Sequence, residues 1–379
     1  MSPANRIAVA WRTVRYATVE TLNGDSYSGQ MGKTCVFCGH RPESKTKEHV
    51  IPRWLIQATG DPKRFVSFGT YTLHEKEPTL KTFSFDQLTF PACASCNGDF
   101  SRLEASAKDV MERLLARKPL NNRDFDILLD WLDKVRTGMW LGLMWLDGNP
   151  WGIKPKFHIS QRIGLHDRSL GISFIEGRHP GINLVGPESP CFGLSPTTMC
   201  LFINEVGLFN SSTIGLCSRR LGFPFPTDLT LRPDGLMGGW IAPGLERILR
   251  PIEPIGPLQL QPFVYQPIFE RGIAGSSTEV FETEYVKHNS FDFNNGRGSL
   301  FLQHRGVVSK YGEEPSADWV PQAPQSLRQV YRTGRRWAYK KLERYYAEQT
   351  VKGDTLPRVF ERTHTHLLSM YDREIGSSR

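Results

Sequence analysis

The sequence lacks any apolar segment long enough to cross a lipid bilayer, which takes roughly 20 residues. The longest candidate, at 139–146, is short and is flanked by charged residues. The N-terminal region has arginines and small residues but no apolar stretch followed by a cleavage site, which argues against a secretory signal. Internal repeats and low-complexity tracts are absent as well. We therefore expect a cytoplasmic protein that does not enter a membrane.

Cysteine is scarce, with seven copies in 379 residues. The number is odd, and four of the seven form two C-x-x-C pairs, a pattern that suits metal binding in a reducing compartment better than a disulfide framework. The other three have apolar or turn-like surroundings and are predicted to be buried thiols: Cys191, Cys200 and Cys217.

Basic residues exceed acidic ones, 47 to 39, so that the formal net charge is +8 and the isoelectric point is near 9.1. A polyanionic partner fits this balance, and nucleic acid is the usual candidate. A modest excess spread over a chain of this length is also compatible with a simple contribution to solubility.

The pattern of apolar residues predicts an α+β chain with several segments. Apolar residues recur at helical spacing at 99–117, at 123–146 and within 327–346, whereas short apolar runs alternate with Gly, Pro and Ser between 155 and 320. We predict an N-terminal arm at 1–32, a zinc module at 33–118, a helix with a mixed, mainly β domain of unrecognised fold at 119–322, and a basic, aromatic helical segment at 323–379.

The cysteine pairs are the strongest motif. Cys35 and Cys38 form one pair, and Cys93 and Cys96 form the other. Each pair can wrap its sulfurs around one metal ion, and four thiolates complete a tetrahedral shell with no open position for catalysis. The sequence therefore predicts a structural zinc site.

An acid–histidine dipeptide lies between the two pairs, and an asparagine follows the last cysteine. Glu48, His49 and Asn97 provide a carboxylate, an imidazole and an amide. Hydrolysis of a phosphodiester needs an activated water and a cation that neutralises charge, and these groups supply a base and hard oxygen ligands for a magnesium-type ion. Alternatively, His49 is a buried turn histidine, Glu48 a surface charge, and Asn97 the N-cap of the helix that follows.

The segments CVFCG, EHVIP and CASCN, followed by a helix, resemble the zinc-containing branch of the HNH (ββα-metal) endonucleases. The resemblance covers roughly residues 34–113. It implies a small treble-clef ββα unit that is held by structural zinc and carries a separate Mg²⁺-type catalytic ion. It also implies that His49 is the general base and that Glu48 and Asn97 are ligands of the catalytic ion.

One position departs from the family pattern. An asparagine that orients the histidine is expected roughly nine residues before Asn97, but the local sequence reads FDQLTF. Gln87 and Thr89 are the candidate substitutes. Glu104, about two helical turns after Asn97, is a further candidate metal ligand or a solvated carboxylate on the helix surface.

Basic residues near the motif and in the C-terminal segment are candidates for contact with nucleic acid, with DNA favoured over RNA by the resemblance alone. They are Lys45, Lys47, Arg53, Arg332, Arg335, Arg336 and Lys340. The C-terminal residues alternate with aromatics that could stack on bases, but an amphipathic helix packed through Leu327, Val330, Ala338, Leu342 and Tyr345 explains the same pattern.

Two further hypotheses remain open. The zinc module could bind nucleic acid or protein without catalysis, or residues 155–320 could carry an unrelated activity that the module targets. In that middle region, Asp167 and Arg168 are interpreted as a salt-bridged pair in a β-turn rather than as a second catalytic centre.

Overall fold

The computed structural model describes residues 7–11, 35, 41, 44, 46–60, 65–70, 79–87, 89–146, 166–194, 196–214, 216–221, 223, 225–231, 237–242, 252, 263–267, 299–304, 307–312 and 324–349. Helices and strands are mixed along the chain, as predicted for an α+β protein. Within the described residues, none of the helices combines the length and the apolar character needed to span a membrane.

The N-terminal part of the chain alternates short strands with helices. Its elements are β1 (Ile7–Trp11), β2 (Thr46–His49), α1 (Arg53–Ala58), β3 (Phe65–Thr70), β4 (Thr79–Ser84), a 3₁₀ helix (Phe85–Gln87), β5 (Thr89–Ala92), α2 (Ala94–Leu115) and α3 (Asn122–Leu146). Strands β2 and β5 pair antiparallel, and β3 and β4 form a separate hairpin.

The remaining elements build mainly β structure and end in a long helix. They are β6 (His166–Phe174), β7 (Ile182–Val185), α4 (Pro190–Leu194), β8 (Thr198–Ile203), β9 (Val206–Ile214), α5 (Ser218–Leu221), β10 (Phe225–Leu231), β11 (Met237–Ala242), β12 (Phe263–Gln266), β13 (Phe301–His304), β14 (Val307–Lys310) and α6 (Leu327–Gln349). The predictions of a mainly β middle region and of helices near 123–146 and 327–346 are confirmed.

The helix predicted to open at the second cysteine pair is confirmed as α2, which begins at Ala94, before the apolar periodicity becomes visible at residue 99. Cys93 is its N-cap, with the Cys93 Sγ accepting the backbone N–H of Cys96. Small and polar residues fill this first turn, so that the apolar periodicity does not reveal it.

A seven-stranded antiparallel sheet with the order β14-β13-β12-β6-β9-β8-β7 lies between α3 and α6. Successive residues of a strand point to opposite faces. On β9, Leu208 belongs to the buried cluster that includes α3, whereas Phe209 packs with Val330 and Tyr339 of α6. The α6 side is closed by aromatic contacts, since Phe202 stacks on Tyr331 with ring centroids 4.1 Å apart.

The interface between α3 and the sheet contains buried charges. Arg168 on β6 donates to Asp130 Oδ1 at 2.5 Å and to Asp133 Oδ2 at 3.0 Å, both on α3. Arg136, which is fully buried, donates to Asp133 and to Asn210 of β9. Because buried charges are tolerated only when paired, this network fixes how α3 lies on the sheet.

The prediction of a salt-bridged turn at Asp167 and Arg168 is wrong. Both residues lie in β6, where neighbouring side chains point to opposite faces, so they cannot pair with each other. Asp167 instead accepts hydrogen bonds from the backbone N–H groups of Cys217 and Ser218, at 2.8 and 2.7 Å. Burial raises the pKa of Asp167, and these hydrogen bonds oppose the shift.

A second face of α3 packs against the strand pair β2–β5. Trp131 contacts Trp54 of α1 with centroids 6.3 Å apart. Two and three turns further along lie Gly138 and Gly142, where added side chains would meet Val50 and the Phe90 ring. Buried side chains form one continuous cluster from Cys35 through α3 to the sheet, so the core crosses the predicted domain boundary near residue 118.

We predict that Gly142→Ala destabilises the protein by about 1–3 kcal/mol, because its methyl group would overlap the buried Phe90 ring and force repacking. Gly98→Ala is the matched control, since nothing lies within 4 Å of a Cβ added at this α2 position. The control should stabilise the protein by up to about 1 kcal/mol through helix propensity. Denaturant unfolding measures both, and equal stability of Gly142→Ala and wild type contradicts the packing described.

Candidate functional site

Three of the four predicted metal-binding cysteines converge. The Sγ atoms of Cys35, Cys93 and Cys96 lie within 4.8 Å of one another. The Cys96 N–H donates to Cys93 Sγ at 3.4 Å, the inward-pointing amide that a C-x-x-C knuckle requires. Cys38 lies outside the described residues. The arrangement can hold a metal ion, and thiolate ligands favour zinc.

The strand pair β2–β5 links the cysteines to the acid–histidine dipeptide. Thr46 pairs with Ala92, the residue before Cys93, and the Thr46 hydroxyl donates to the Ala92 carbonyl at 2.8 Å. His49, at the other end of β2, pairs with Thr89. At the usual rise of a strand, these two ends are about 10 Å apart. The cysteine group and His49 are therefore separate sites on one small scaffold.

His49 is half-buried at the end of β2. Its Nδ1 is buried and has no hydrogen-bond partner among the described residues. Burial lowers the pKa of His49, Arg53 and Lys134 lower it further, and Asp86 opposes the shift. The imidazole is therefore neutral at neutral pH, as a residue that accepts a proton from water must be.

Beneath His49, a buried lysine joins two carboxylates. Lys134 of α3 is fully buried, and its Nζ lies 2.7 Å from Glu48 Oε1 and 2.5 Å from Glu104 Oε1. The same Nζ donates hydrogen bonds to the His49 carbonyl at 2.7 Å and to the Val50 carbonyl at 3.2 Å. Burial raises the pKa of Glu104, and the Lys134 ammonium opposes this shift.

The two glutamates predicted as metal ligands are therefore both ion-paired. Glu48 is buried, and Glu104 is largely buried rather than a solvated carboxylate of the helix surface. Asn97 lies half-buried in the first turn of α2, on the helix face that carries Glu104 two turns later. The alternative interpretation of Asn97 as the N-cap is wrong, because Cys93 holds that position.

The two candidates for orienting His49 differ in position. Thr89 is the cross-strand partner of His49, and side chains of directly opposite residues lie on the same face of an antiparallel pair. Gln87 ends the 3₁₀ helix and is exposed. Neither contributes a described hydrogen bond to His49, whereas Lys134 does.

The basic candidates fall into two groups. Lys47 and Arg53 are exposed beside His49, whereas Lys45 lies outside the described residues. On α6, Arg332, Arg336 and Lys340 are exposed and Arg335 is half-buried. Because α6 covers the sheet face opposite α3, its cations are separated from His49 by the sheet and by α3.

The packing interpretation of α6 is also confirmed. Val330, Ala338, Leu342 and Tyr345 are buried, and Leu327 packs against the cluster that contains Val330 and Ala338. The three cysteines outside the metal group, Cys191, Cys200 and Cys217, are buried as predicted, and none is disulfide-bonded. Burial raises the pKa of Cys191 to about 12, which makes it a poor nucleophile and a poor metal ligand.

Lys134 is the site residue that sequence reasoning missed. It is 85 positions from His49 and lies outside the segment that resembles a known family. The one feature of the sequence that could have identified it is its position within the largely apolar helix α3, where nearly all neighbouring residues are buried. A charged residue at such a position needs a partner, but the sequence does not say which one.

The chain matches no protein-family model, no curated protein and no solved structure.

We predict that Cys96→Ser lowers the zinc content of purified protein from about one ion per chain to near zero and lowers the melting temperature, because a structural zinc contributes directly to folding. Cys191→Ala, at a buried thiol outside the metal group, is the control and should retain zinc. Elemental analysis measures the ion, and full zinc content in Cys96→Ser contradicts the site.

We also predict that His49 titrates below 6.5, its value when unperturbed, in an NMR pH titration of the zinc-loaded protein. Arg53→Gln should raise this pKa and Asp86→Asn should lower it, because both charged side chains are exposed and act through the field at the ring. The folded state favours the neutral form of His49. The stability that results is fully present above pH 6.5, and it is lost as the pH falls through the lower pKa that His49 has in the folded protein. A pKa above 6.5 contradicts the burial of the ring.

Proposed function

We propose that this chain is a metal-dependent endonuclease that hydrolyses phosphodiester bonds in nucleic acid, with DNA the favoured substrate. The observation that carries the proposal is His49, a neutral, half-buried histidine at the end of β2, one strand length from a cysteine group that can hold zinc. The order β2, β5, α2 supports the resemblance to HNH endonucleases with a treble-clef ββα unit.

His49 acts as the general base in this proposal. The imidazole removes a proton from water, the water oxygen forms a bond to phosphorus, and the bond from phosphorus to the leaving oxygen breaks. The leaving oxygen then takes a proton from solvent. A base with a lowered pKa is in the correct protonation state for the first of these steps at neutral pH.

Two metals have different tasks. Cys35, Cys93 and Cys96 would hold a structural zinc, with Cys38 as the fourth ligand that the sequence spacing predicts. Glu48 and Asn97 provide the hard oxygen donors that suit a magnesium-type ion, which supplies positive charge to the scissile phosphate when bound. Glu48 already pairs with Lys134 through Oε1, but a carboxylate has two oxygens and can serve an ammonium and a cation together.

Positive charge around the site supports a polyanionic substrate. Lys47 and Arg53 are exposed close to His49, one on β2 and the other at the start of α1. These side chains can contact backbone phosphates without reading the base sequence. The basic face of α6 lies on the far side of the sheet and does not belong to this contact.

A non-catalytic zinc module that binds nucleic acid is the second candidate function. The pairing of both Glu48 and Glu104 with Lys134 favours it, because these carboxylates are then structural rather than metal ligands.

We predict that His49→Ala lowers nicking of supercoiled plasmid by about 10²- to 10⁴-fold while the zinc content stays unchanged, because a general base contributes on this scale. His179→Ala, far from the site in sequence and half-buried, is the control and should cleave like wild type. Assays contain Mg²⁺, Mn²⁺ or Ni²⁺ in turn. A wild-type protein that binds DNA but cleaves with none of these ions supports the non-catalytic module instead.

A further inference from the structure

The ammonium of Lys134 lies among four oxygens that come from two separate parts of the chain, residues 48–50 and Glu104. These are the side chains of Glu48 and Glu104 and the backbone carbonyls of His49 and Val50. An ammonium has three N–H donors. The hydrogen bonds go to Glu104 Oε1 at 2.5 Å, to the His49 carbonyl at 2.7 Å and to the Val50 carbonyl at 3.2 Å, whereas Glu48 Oε1 at 2.7 Å contributes an ion pair.

This lysine is held firmly in place. A fully buried lysine is rare and is retained only when its charge is compensated, here by two carboxylates. The helix that carries it approaches β2 closely, since a Cβ added at Gly138 would lie 3.2 Å from Val50 Cγ1. The Phe100 ring lies on the other side, with its centroid 5.9 Å from Nζ.

The bond to the His49 carbonyl acts where the chain leaves β2 and turns toward α1. A carbonyl held at this point fixes the backbone orientation of the residue, and with it the direction in which the imidazole leaves the backbone. No other described side chain donates a hydrogen bond to His49. Thr89 lies opposite the histidine, and Gln87 is exposed.

We propose that Lys134 is the positioning residue of His49. It holds the histidine backbone from α3, outside the motif, so the working site extends beyond the zinc module at 33–118. The inference rests on the proposed function. Because Lys134 is fully buried, it does not touch the substrate, and it acts on the reaction through His49.

A set of variants separates positioning from general support of the fold. Glu104→Gln removes one ion pair but leaves the bond from Lys134 to His49. The double variant, Lys134→Met with Glu104→Gln, removes that bond as well. Because it loses one positive and one negative charge, the formal charge of the cluster of Lys134, Glu48 and Glu104 is unchanged. Only Glu48, rather than both carboxylates, is then left without a cation. Plasmid nicking, zinc content and melting temperature are measured for both, with and without His49→Ala.

The double variant should lower kcat about 10²-fold relative to Glu104→Gln with KM unchanged, because a small misplacement of a reacting group has effects of this size. In the His49→Ala background the same change should have no further effect, since the residue that Lys134 positions is gone. Equal kcat in the two variants, or an equal loss with and without His49, overturns the proposal.

A measurement on the wild-type protein keeps the test independent of folding and of nuclease activity. With ¹⁵N-labelled lysine and ¹³C-labelled histidine carbonyl, NMR should detect a coupling across the hydrogen bond between Lys134 Nζ and the His49 carbonyl carbon, together with an ammonium protected from solvent exchange. Absence of both signals overturns the positioning role. A wild-type chain that shows the coupling but cleaves no nucleic acid instead overturns the proposed function.

Discussion

A single buried ammonium joins the parts of this protein that carry its candidate chemistry. Lys134 pairs with Glu48 from β2 and with Glu104 from α2, and it also holds the backbone that follows β2. A buried charge is tolerated only when its partners are in place, so the packing of these three elements against one another is coupled. The geometry around His49 therefore depends on a helix that lies outside residues 33–118.

Helix α3 uses polar residues on both of its packed faces. Lys134 contacts β2 and α2, and Asp130, Asp133 and Arg136 bond to the sheet through Arg168 and Asn210. Charged contacts are directional, so they fix the rotation and the height of the helix more strictly than apolar packing alone. The sheet is thus bonded to the helix that lies behind His49.

The layered arrangement also separates two positively charged surfaces, which the sequence shows only as a single net charge. The positive charge of the chain includes exposed residues near His49 and an exposed basic face on α6. The sheet and α3 lie between them, because alternate residues of β9 face α3 and α6. The exposed cations near His49 and those of α6 therefore do not form one continuous basic surface.

The sequence by itself determined the cysteine spacing, the helical periodicity of α3 and α6 and the β character of the middle region, because each depends on residues close together in the chain. Apolar periodicity did not show the first turn of α2, where Cys93 sets the start, and the sequence did not reveal the strand at Asp167 and Arg168. Only the tertiary structure decided what lies beneath His49. A buried lysine can pair with any carboxylate that folding brings within reach, and the partners of Lys134 come from β2 and α2, far away in sequence.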